Sequence, residues 1–378
     1  MFKRALYKAE KKILDTISSD FTPRSFSFEG LLVLLSKAYR VLVIARLNAF
    51  ENGMFKTKKV PCPVISVGNV TVGGMGKTPM TVYIARIFEK AGKTPVVLSR
   101  GYKGAYKTKT AVVSDGRKIL MQPFESGDEP FMMAKSLNCP VMVARDRAAG
   151  AAVAWEKFRP DAILLDDAFQ HFRLSRDLDV LLCDFEKPLG NGRLLPAGKV
   201  REPVEKAVET ADVIVFTRCL DVKNQDKPQI LEAMNGRISG RPVFFTAHAP
   251  YLYLYKPLQN QVEESGSQRG FDLLANQTCV AFSGLADNKE FRKSLEKLEI
   301  TVKEHLEFRD HYRYKEADIS KVQKTVESLC ADWIVTTEKD YAKLPEGIEW
   351  QRNFAVIGVR IVFADNENRF GSLIQEQF

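Results

Sequence analysis

The stretch Ser66-Val67-Gly68-Asn69-Val70-Thr71-Val72-Gly73-Gly74-Met75-Gly76-Lys77-Thr78-Pro79 decides the fold. Before it, Pro63-Val64-Ile65 reads as a short apolar strand; after it, Thr81 to Ala91 reads as an amphipathic helix. Strand, glycine-rich loop, Gly-Lys-Thr and helix are the parts of a phosphate-binding loop. Gly73, Gly74 and Gly76 let backbone N–H groups turn toward a phosphate with no Cβ in the way. The helix N-terminus adds its partial positive charge. In such a loop Lys77 reaches the β/γ-phosphates and the Thr78 hydroxyl ligates Mg²⁺, with Thr71, Val72 and Met75 completing the nucleotide cradle. The usual pattern opens on glycine, and here Thr71 stands at that position. Pro79 fits a first helical turn, where a missing N–H costs little.

Length and composition bound the rest. A chain of 378 residues is long enough for two domains, and 45% hydrophobic with 27% charged residues is an ordinary globular mixture. Six cysteines without paired spacing argue against a zinc site and a disulfide framework and fit a reducing compartment. The net charge of +9 draws the protein to anionic surfaces: nucleic acid, membrane phosphates or phosphorylated substrates. The basic N-terminus (Lys3, Arg4, Lys8, Lys11, Lys12) is followed by Asp15, Asp20 and Arg24, so no uninterrupted signal-peptide core follows it.

Gly30 to Asn48 is the most apolar segment, yet it carries Lys37, Arg40 and Arg46 and is a poor spanning helix. On a helical wheel Leu31, Leu34, Leu35, Ala38, Leu42 and Ala45 share one face, with Ser36, Lys37 and Arg40 opposite. That pattern suits a helix lying in a membrane interface and suits equally a helix packed on the protein core.

Strands and helices then alternate. Strands are expected at 93–99, 140–144, 180–184 and 213–217, and a hairpin over 111–120 turning at Asp115-Gly116. Asp128 and Glu129 sit in a polar loop before an apolar helix at 131–136, where acids also serve as plain caps. Asp161-Ala-Ile-Leu-Leu-Asp166-Asp167 has the form of a Walker B strand whose terminal carboxylates hold Mg²⁺ beside the phosphate loop. A second α/β unit follows, with strands at 278–283, 300–302, 333–337 and 354–359, a helix at 289–298 and a turn at 263–268. The expected fold is a phosphate-loop NTPase-type parallel α/β sheet flanked by helices, with a smaller second α/β lobe and an N-terminal amphipathic helix. The expected division is 1–50, 51–235 and 236–378. Ligands belong at the carboxyl ends of the strands, where the loop at 71–78, Asp128, Asp166 and Arg201 all fall.

Motor, switch and kinase all use such a loop. A guanine reader of the form Asn/Thr-Lys-x-Asp is not met by Asn288-Lys289-Glu290-Phe291 or Thr337-Glu338-Lys339-Asp340, which disfavours GTP. The paired glycines resemble a partition-type ATPase loop, although Val72 stands where that loop has a second lysine. A membrane-associated switch or partition ATPase is therefore the alternative class. No aromatic-and-basic stacking pattern points to nucleic acid.

Several strings are specific together. Besides 66–79 they are Ser-Arg-Gly-Tyr at 99–102, Gly-Asp-Glu-Pro at 127–130 and Leu-Asp-Asp-Ala-Phe-Gln-His at 165–171. Leu-Pro-Ala-Gly and Arg-Glu-Pro follow within 195–203, then Phe-x-Asp-His at 308–311 and Thr-Glu-Lys-Asp at 337–340. With these the chain closely resembles the tetraacyldisaccharide 4′-kinases, the lipid A 4′-kinase family of Gram-negative bacteria, from about residue 28 to 360. The resemblance implies transfer of the ATP γ-phosphate, with Mg²⁺, to the 4′-hydroxyl of a tetraacylated glucosamine disaccharide 1-phosphate. It implies work at the cytoplasmic face of the inner membrane, with the 30–48 helix docked on anionic lipid. It also implies Asp128 as the acid residue that takes the hydroxyl proton, Asp166 and Asp167 as a metal pair assisted by Glu129, and Arg201 and Glu202 near the reacting groups. Arg145 or Arg147 is a further phosphate candidate. Some members place a histidine after the 278–283 strand to support the acid; Asp287 stands there in this chain, and His311 is the candidate substitute.

Overall fold

The computed structural model describes residue 16, residues 21–23, 27–219, 238, 240–256, 261–266, 271–285, 287–345 and 347–377. The basic cluster at residues 3–12 and most of the expected boundary near 220–240 lie outside the described residues. Helix α1 (Phe28–Glu51) is capped by the Ser27 side chain, which accepts from the Gly30 N–H. Next come β1 (Val64–Asn69), α2 (Lys77–Lys90) and β2 (Pro95–Ser99). Strand β3 (Thr110–Asp115), short helix α3 (Pro123–Ser126), α4 (Asp128–Ser136) and β4 (Pro140–Ala144) lead into α5 (Arg147–Phe158) and β5 (Ala162–Asp166). Strands β6 (Leu178–Asp184) and β7 (Val213–Thr217) flank α6 (Val204–Thr210).

Strands β1, β2, β4, β5, β6 and β7 are buried along their whole length. Continuous Val/Ile/Leu runs suit parallel strands covered by helices on both faces. Strand β1 lies between β5 and β6, both parallel to it. Val67 is registered against Asp166, so the end of β5 stands beside the phosphate loop. Strand β3 runs antiparallel to β4, and the hairpin expected over 111–120 is reduced to a turn at Asp115-Gly116 closed by a single Ser114–Ile119 bridge.

The second half continues the same sheet. Strand β8 (Val243–Lys256) runs parallel to β7 at its start and antiparallel to β13 (Asn353–Phe363) further on. Strand β9 (Gln261–Gly266) pairs with β8; the stretch 263–268 was expected as a turn, and its first four residues belong to this strand. The parallel set β10 (Thr278–Ser283), β11 (Thr301–Glu307) and β12 (Trp333–Thr337) completes the order β11-β10-β12-β13-β8-β7-β6-β1-β5-β2-β4-β3. Helices α7 (Asn288–Lys297), α8 (Glu316–Ser328) and α9 (Glu338–Tyr341) belong to this half. The last helix, α10 (Glu367–Gln375), returns to the first half, where Phe370 packs on Tyr83 of α2 with ring centroids 6.1 Å apart and the Tyr83 hydroxyl donates to Glu367 at 2.6 Å.

Helix α1 turns Leu32, Ser36 and Leu47 inward, while Lys37 and Arg40 stay exposed. Ser36 Oγ donates to the Leu194 carbonyl at 2.9 Å, Tyr39 Oη to the Arg201 carbonyl at 2.8 Å and Arg46 to the Gln170 carbonyl at 3.1 Å. Leu34 and Leu42 on the opposite side are 64% and 69% exposed, and Leu31, Leu35 and Val41 are exposed with them. The helix is packed on protein, and it leaves an apolar face open. Among the described residues no helix is long and apolar enough to cross a membrane.

Candidate active site

The loop after β1 behaves as its glycines require. Gly73 has φ 136° and Gly76 φ 77°, conformations that side chains rarely adopt. Around Gly73 and Gly74 there is open space, whereas a Cβ on Gly76 would strike the His248 ring on β8. Lys77 Nζ lies 3.3 Å from Asn69 Oδ1, 3.3 Å from the Gly73 carbonyl and 3.6 Å from Asp167. Those are partners that a phosphate group can displace. Thr78 is buried at the start of α2 and opens on the same cleft, and Met75 lines it too. The Val72 N–H donates to the Lys199 carbonyl at 2.8 Å and Thr71 bridges Val200, so this end of the loop is tied to the 194–201 segment while Val72 lines the cleft.

The cleft holds about 1010 Å³. Asp166, at the end of β5, accepts from Thr81 at 3.4 Å and Ser99 at 3.3 Å. Burial, with Glu129 and Asp167 nearby, pushes its carboxyl up to about 7. Asp167 has φ 49°. Burial raises its carboxyl, but Lys77 and Arg201 outweigh this and hold it below the ordinary range. Glu129 is open to the cleft, and the protein around it raises its carboxyl against the opposing charges of Lys339 and Lys77. Among the described residues no group of three or more His, Cys, Asp and Glu side chains is drawn together tightly enough to hold a metal unaided. Mg²⁺ asks for less: one or two carboxylates, a hydroxyl and substrate phosphates. Thr78, Asp166, Asp167 and Glu129 all line the cleft, which puts a hydroxyl and three carboxylates in one place. The donor set fits that cation.

Arg201 donates to Asp167 at 3.1 Å and to Gln170 Oε1 at 3.3 Å, which aims its guanidinium into the cleft. Glu202 is buried, accepts from Gln170 Nε2 at 2.7 Å, and has its carboxyl raised by burial.

Asp128, the first residue of α4, meets His311 across the lobes, with Oδ2 2.7 Å from Nδ1. His311 Nε2 is 3.4 Å from Asp310 on its other side. Lys343, 4% exposed, stands 3.8 Å from Asp128 and 2.8 Å from buried Asp340. Two expectations need correction. Asp287 does not support Asp128: it is the N-cap of α7, exposed, and its carboxylate accepts from the Glu290 N–H at 3.1 Å. The sequence Asp-Asn-Lys-Glu at a helix start favours exactly one use of such an acid, capping. Arg147 is not a free phosphate contact: it is 1% exposed and its amino groups donate to the Ala144 and Asp166 carbonyls, bracing the ends of β4 and β5. Arg145 lies over the Tyr106 ring, 5.5 Å from its centroid.

Sequence reasoning missed Ser99, Gln170, Arg218 and Lys343. Ser99 and Gln170 lie inside the strings at 99–102 and 165–171, a usable signal. Arg218 donates to the Gly74 carbonyl at 2.6 Å and to Asp184 at 3.2 Å from the end of β7, and Lys343 follows Asp340 by one helical turn; nothing local marks either.

Known proteins are similar to this chain over most of its length. The model of the tetraacyldisaccharide-1-P 4′-kinase family matches residues 28–378. The chain is 39% identical over 323 residues to the tetraacyldisaccharide 4′-kinase of Syntrophus aciditrophicus, covering 84% of each chain. It is 37% identical over 314 residues to that of Aquifex aeolicus, covering 83% of this chain and 89% of the relative. The crystal structure of LpxK from Aquifex aeolicus in complex with ATP has a TM-score of 0.74 at 34% identity, covering 93% of this chain and 100% of that one. With the match running from the first described helix to the last residue, the chain belongs to the tetraacyldisaccharide-1-P 4′-kinase family.

Proposed function

We propose that this cleft transfers the γ-phosphate of ATP to the 4′-hydroxyl of a tetraacyl-glucosamine disaccharide 1-phosphate, a step of lipid A biosynthesis, with Asp128 as the base. The observation that carries the roles is the Asp128–His311 pair at 2.7 Å, brought together from two halves of the sheet in a cavity adjoining the cleft, which the next residue, Glu129, lines together with Lys77. Phosphoryl transfer needs little covalent help; positioning and charge neutralisation dominate. Lys77 and the amides of the glycine loop hold the triphosphate, with Lys77 leaving Asn69 and Gly73 for phosphate oxygens. Thr78, Asp166, Asp167 and Glu129 are the groups that would hold Mg²⁺, which when bound neutralises charge on the β- and γ-oxygens. Asp128 takes the proton of the acceptor hydroxyl, and His311 fixes the carboxylate that does so. Arg201 stays aimed by Asp167 and Gln170, while Glu202 holds Gln170 in place.

The exposed leucine face of α1, beside a cleft that Tyr39 and Arg46 of the same helix help to line, supports docking on an anionic bilayer. We place the protein peripherally at the cytoplasmic face of the inner membrane. The long strand β8 supports a division into 51–235 and 236–378 after an N-terminal segment 1–50, with α10 packed also against Tyr83 of the first of these.

The test mixes the full chain, Mg²⁺ and γ-labelled ATP with the acceptor in detergent micelles. Label in the lipid, absent when the 4′-hydroxyl is absent and lost with Asp128→Asn, is the expected result. ATP consumption without labelled lipid would return the chain to the switch or partition ATPase class.

A further inference from the structure

Transfer of a phosphoryl group spreads negative charge over three equatorial oxygens, and the cations that meet it come from more than one element. Six cations line the cleft among the described residues. Arg46, Lys77, Arg100, Arg201 and Arg218 belong to the N-terminal half, and Lys339 to the C-terminal half. Arg201 is held by Asp167 and Gln170, and Arg218 by Asp184 and the Gly74 carbonyl. Lys339 is differently placed. It sits on the first turn after β12, in the one-turn helix α9, and this turn is pinned from below. Thr337 accepts from the Asp340 N–H at 3.1 Å, and fully buried Asp340 lies 2.8 Å from Lys343. A rigid base thus carries a long, partly exposed side chain into the open cleft.

The ammonium rests on Asp310 at 3.0 Å. Asp310 is the neighbour of His311, whose ring bonds Asp128. Lys339 also lines the same cleft as Lys77, Glu129, Asp166 and Asp167, and it reaches that cleft from the other half of the sheet.

We propose that Lys339 is a catalytic residue: a cation carried by the C-terminal half that leaves Asp310 to donate a hydrogen bond to an oxygen of the transferring γ-phosphoryl group. The inference rests on the phosphoryl-transfer reading above and adds a residue to it. In the step, the bond between the γ-phosphorus and the ADP oxygen breaks as the bond from the acceptor oxygen forms. The acceptor proton goes to Asp128, ADP leaves with the electron pair of the broken bond, and Lys339 keeps its protons throughout. Because the contact strengthens as charge develops, it belongs to the transition state more than to bound ATP.

The test compares wild type, Lys339→Met, Lys339→Arg and Asp310→Asn in two assays. One is labelled-phosphate transfer, giving kcat and the KM for ATP. The other is affinity for MgADP with and without tetrafluoroaluminate, which mimics the phosphoryl group in flight. Lys339→Met is expected to lower kcat by about 10³-fold, the low end for a cation supplied from a second element, with KM for ATP and MgADP affinity within threefold of wild type. Its tightening by tetrafluoroaluminate should vanish, Lys339→Arg should restore part of both, and Asp310→Asn should keep the tightening. A Lys339→Met enzyme with kcat within threefold of wild type overturns the proposal. So does a kcat loss matched by an equal loss of MgADP affinity, or loss of the tightening in Asp310→Asn, which would make Lys339 act through Asp310 and His311. A wild type that tightens on tetrafluoroaluminate through Lys339 yet labels no lipid supports the phosphoryl contact and refutes the acceptor assignment instead.

Discussion

His311 is held at φ 61° with its ring between the carboxylates of Asp128 and Asp310. A left-handed conformation at a non-glycine residue costs of order 1 kcal/mol or more and persists only where the surroundings impose it. Asp167 and Arg218, also at the cleft, share that conformation. His311→Ala should therefore lower kcat by about 10²-fold, the lower range for a group supporting proton transfer, with the KM for ATP unchanged; steady-state kinetics with both substrates check it. Asp166 makes a second test. Its carboxyl is raised to about 7 by burial and then by Glu129 and Asp167, so the folded, ligand-free protein binds its proton more tightly than the unfolded chain does. The stability it contributes is present below the unfolded value near 4 and is lost as pH rises through about 7. Asp166→Asn should be inactive yet more heat-stable than wild type above pH 7. A Tm gain of about 2–4 °C corresponds to ~1 kcal/mol in a domain of 150–250 residues. The gain should shrink on going to pH 5, and calorimetry across pH reads it. Gly76→Ala joins strain at φ 77° to a clash with His248. It should weaken ATP binding by more than about tenfold, worth ~1.4 kcal/mol, by titration calorimetry.

Helix α1 shows what an element adds. Its periodicity marks an apolar stripe, and the stripe points away from the protein while Ser36 and Tyr39 reach in. Helix packing on a soluble core would bury the leucines, each worth about 1.5–3 kcal/mol. Replacing Leu34, Leu35, Val41 and Leu42 together by serine should reduce binding to anionic phospholipid vesicles by at least about 100-fold, ~2.7 kcal/mol, and leave Tm nearly unchanged. A co-sedimentation assay beside a melting curve separates the two effects. Strand β8 is the other instructive element. Its alternating Tyr251-Leu252-Tyr253-Leu254 run announces a strand, but the change from the parallel neighbour β7 to the antiparallel β13 along its length depends on a partner more than a hundred residues further on.

At the scale of the molecule, one sheet carries both halves, and Leu285, Lys339 and Val359 close a cleft begun by residues 72–78. Saturation with MgATP at about 100 times its Kd adds ~2.7 kcal/mol to the folded state. Differential scanning calorimetry should show the transitions of both halves moving upward together; a shift confined to one half would contradict a cleft shared by both. The chain by itself determined the phosphate loop, the buried strands and the Walker B carboxylates, because these are encoded by local patterns: glycine spacing, apolar runs and an acid at a strand end. The short strings also sufficed for the family. Only the tertiary structure decided which groups meet. Asp128 and His311 are 183 residues apart in sequence, and Asp287 and Arg147 have the right chemistry but spend it on a helix cap and on two backbone carbonyls. Such choices follow from strand order and hydrogen-bond competition, which no local window of sequence contains.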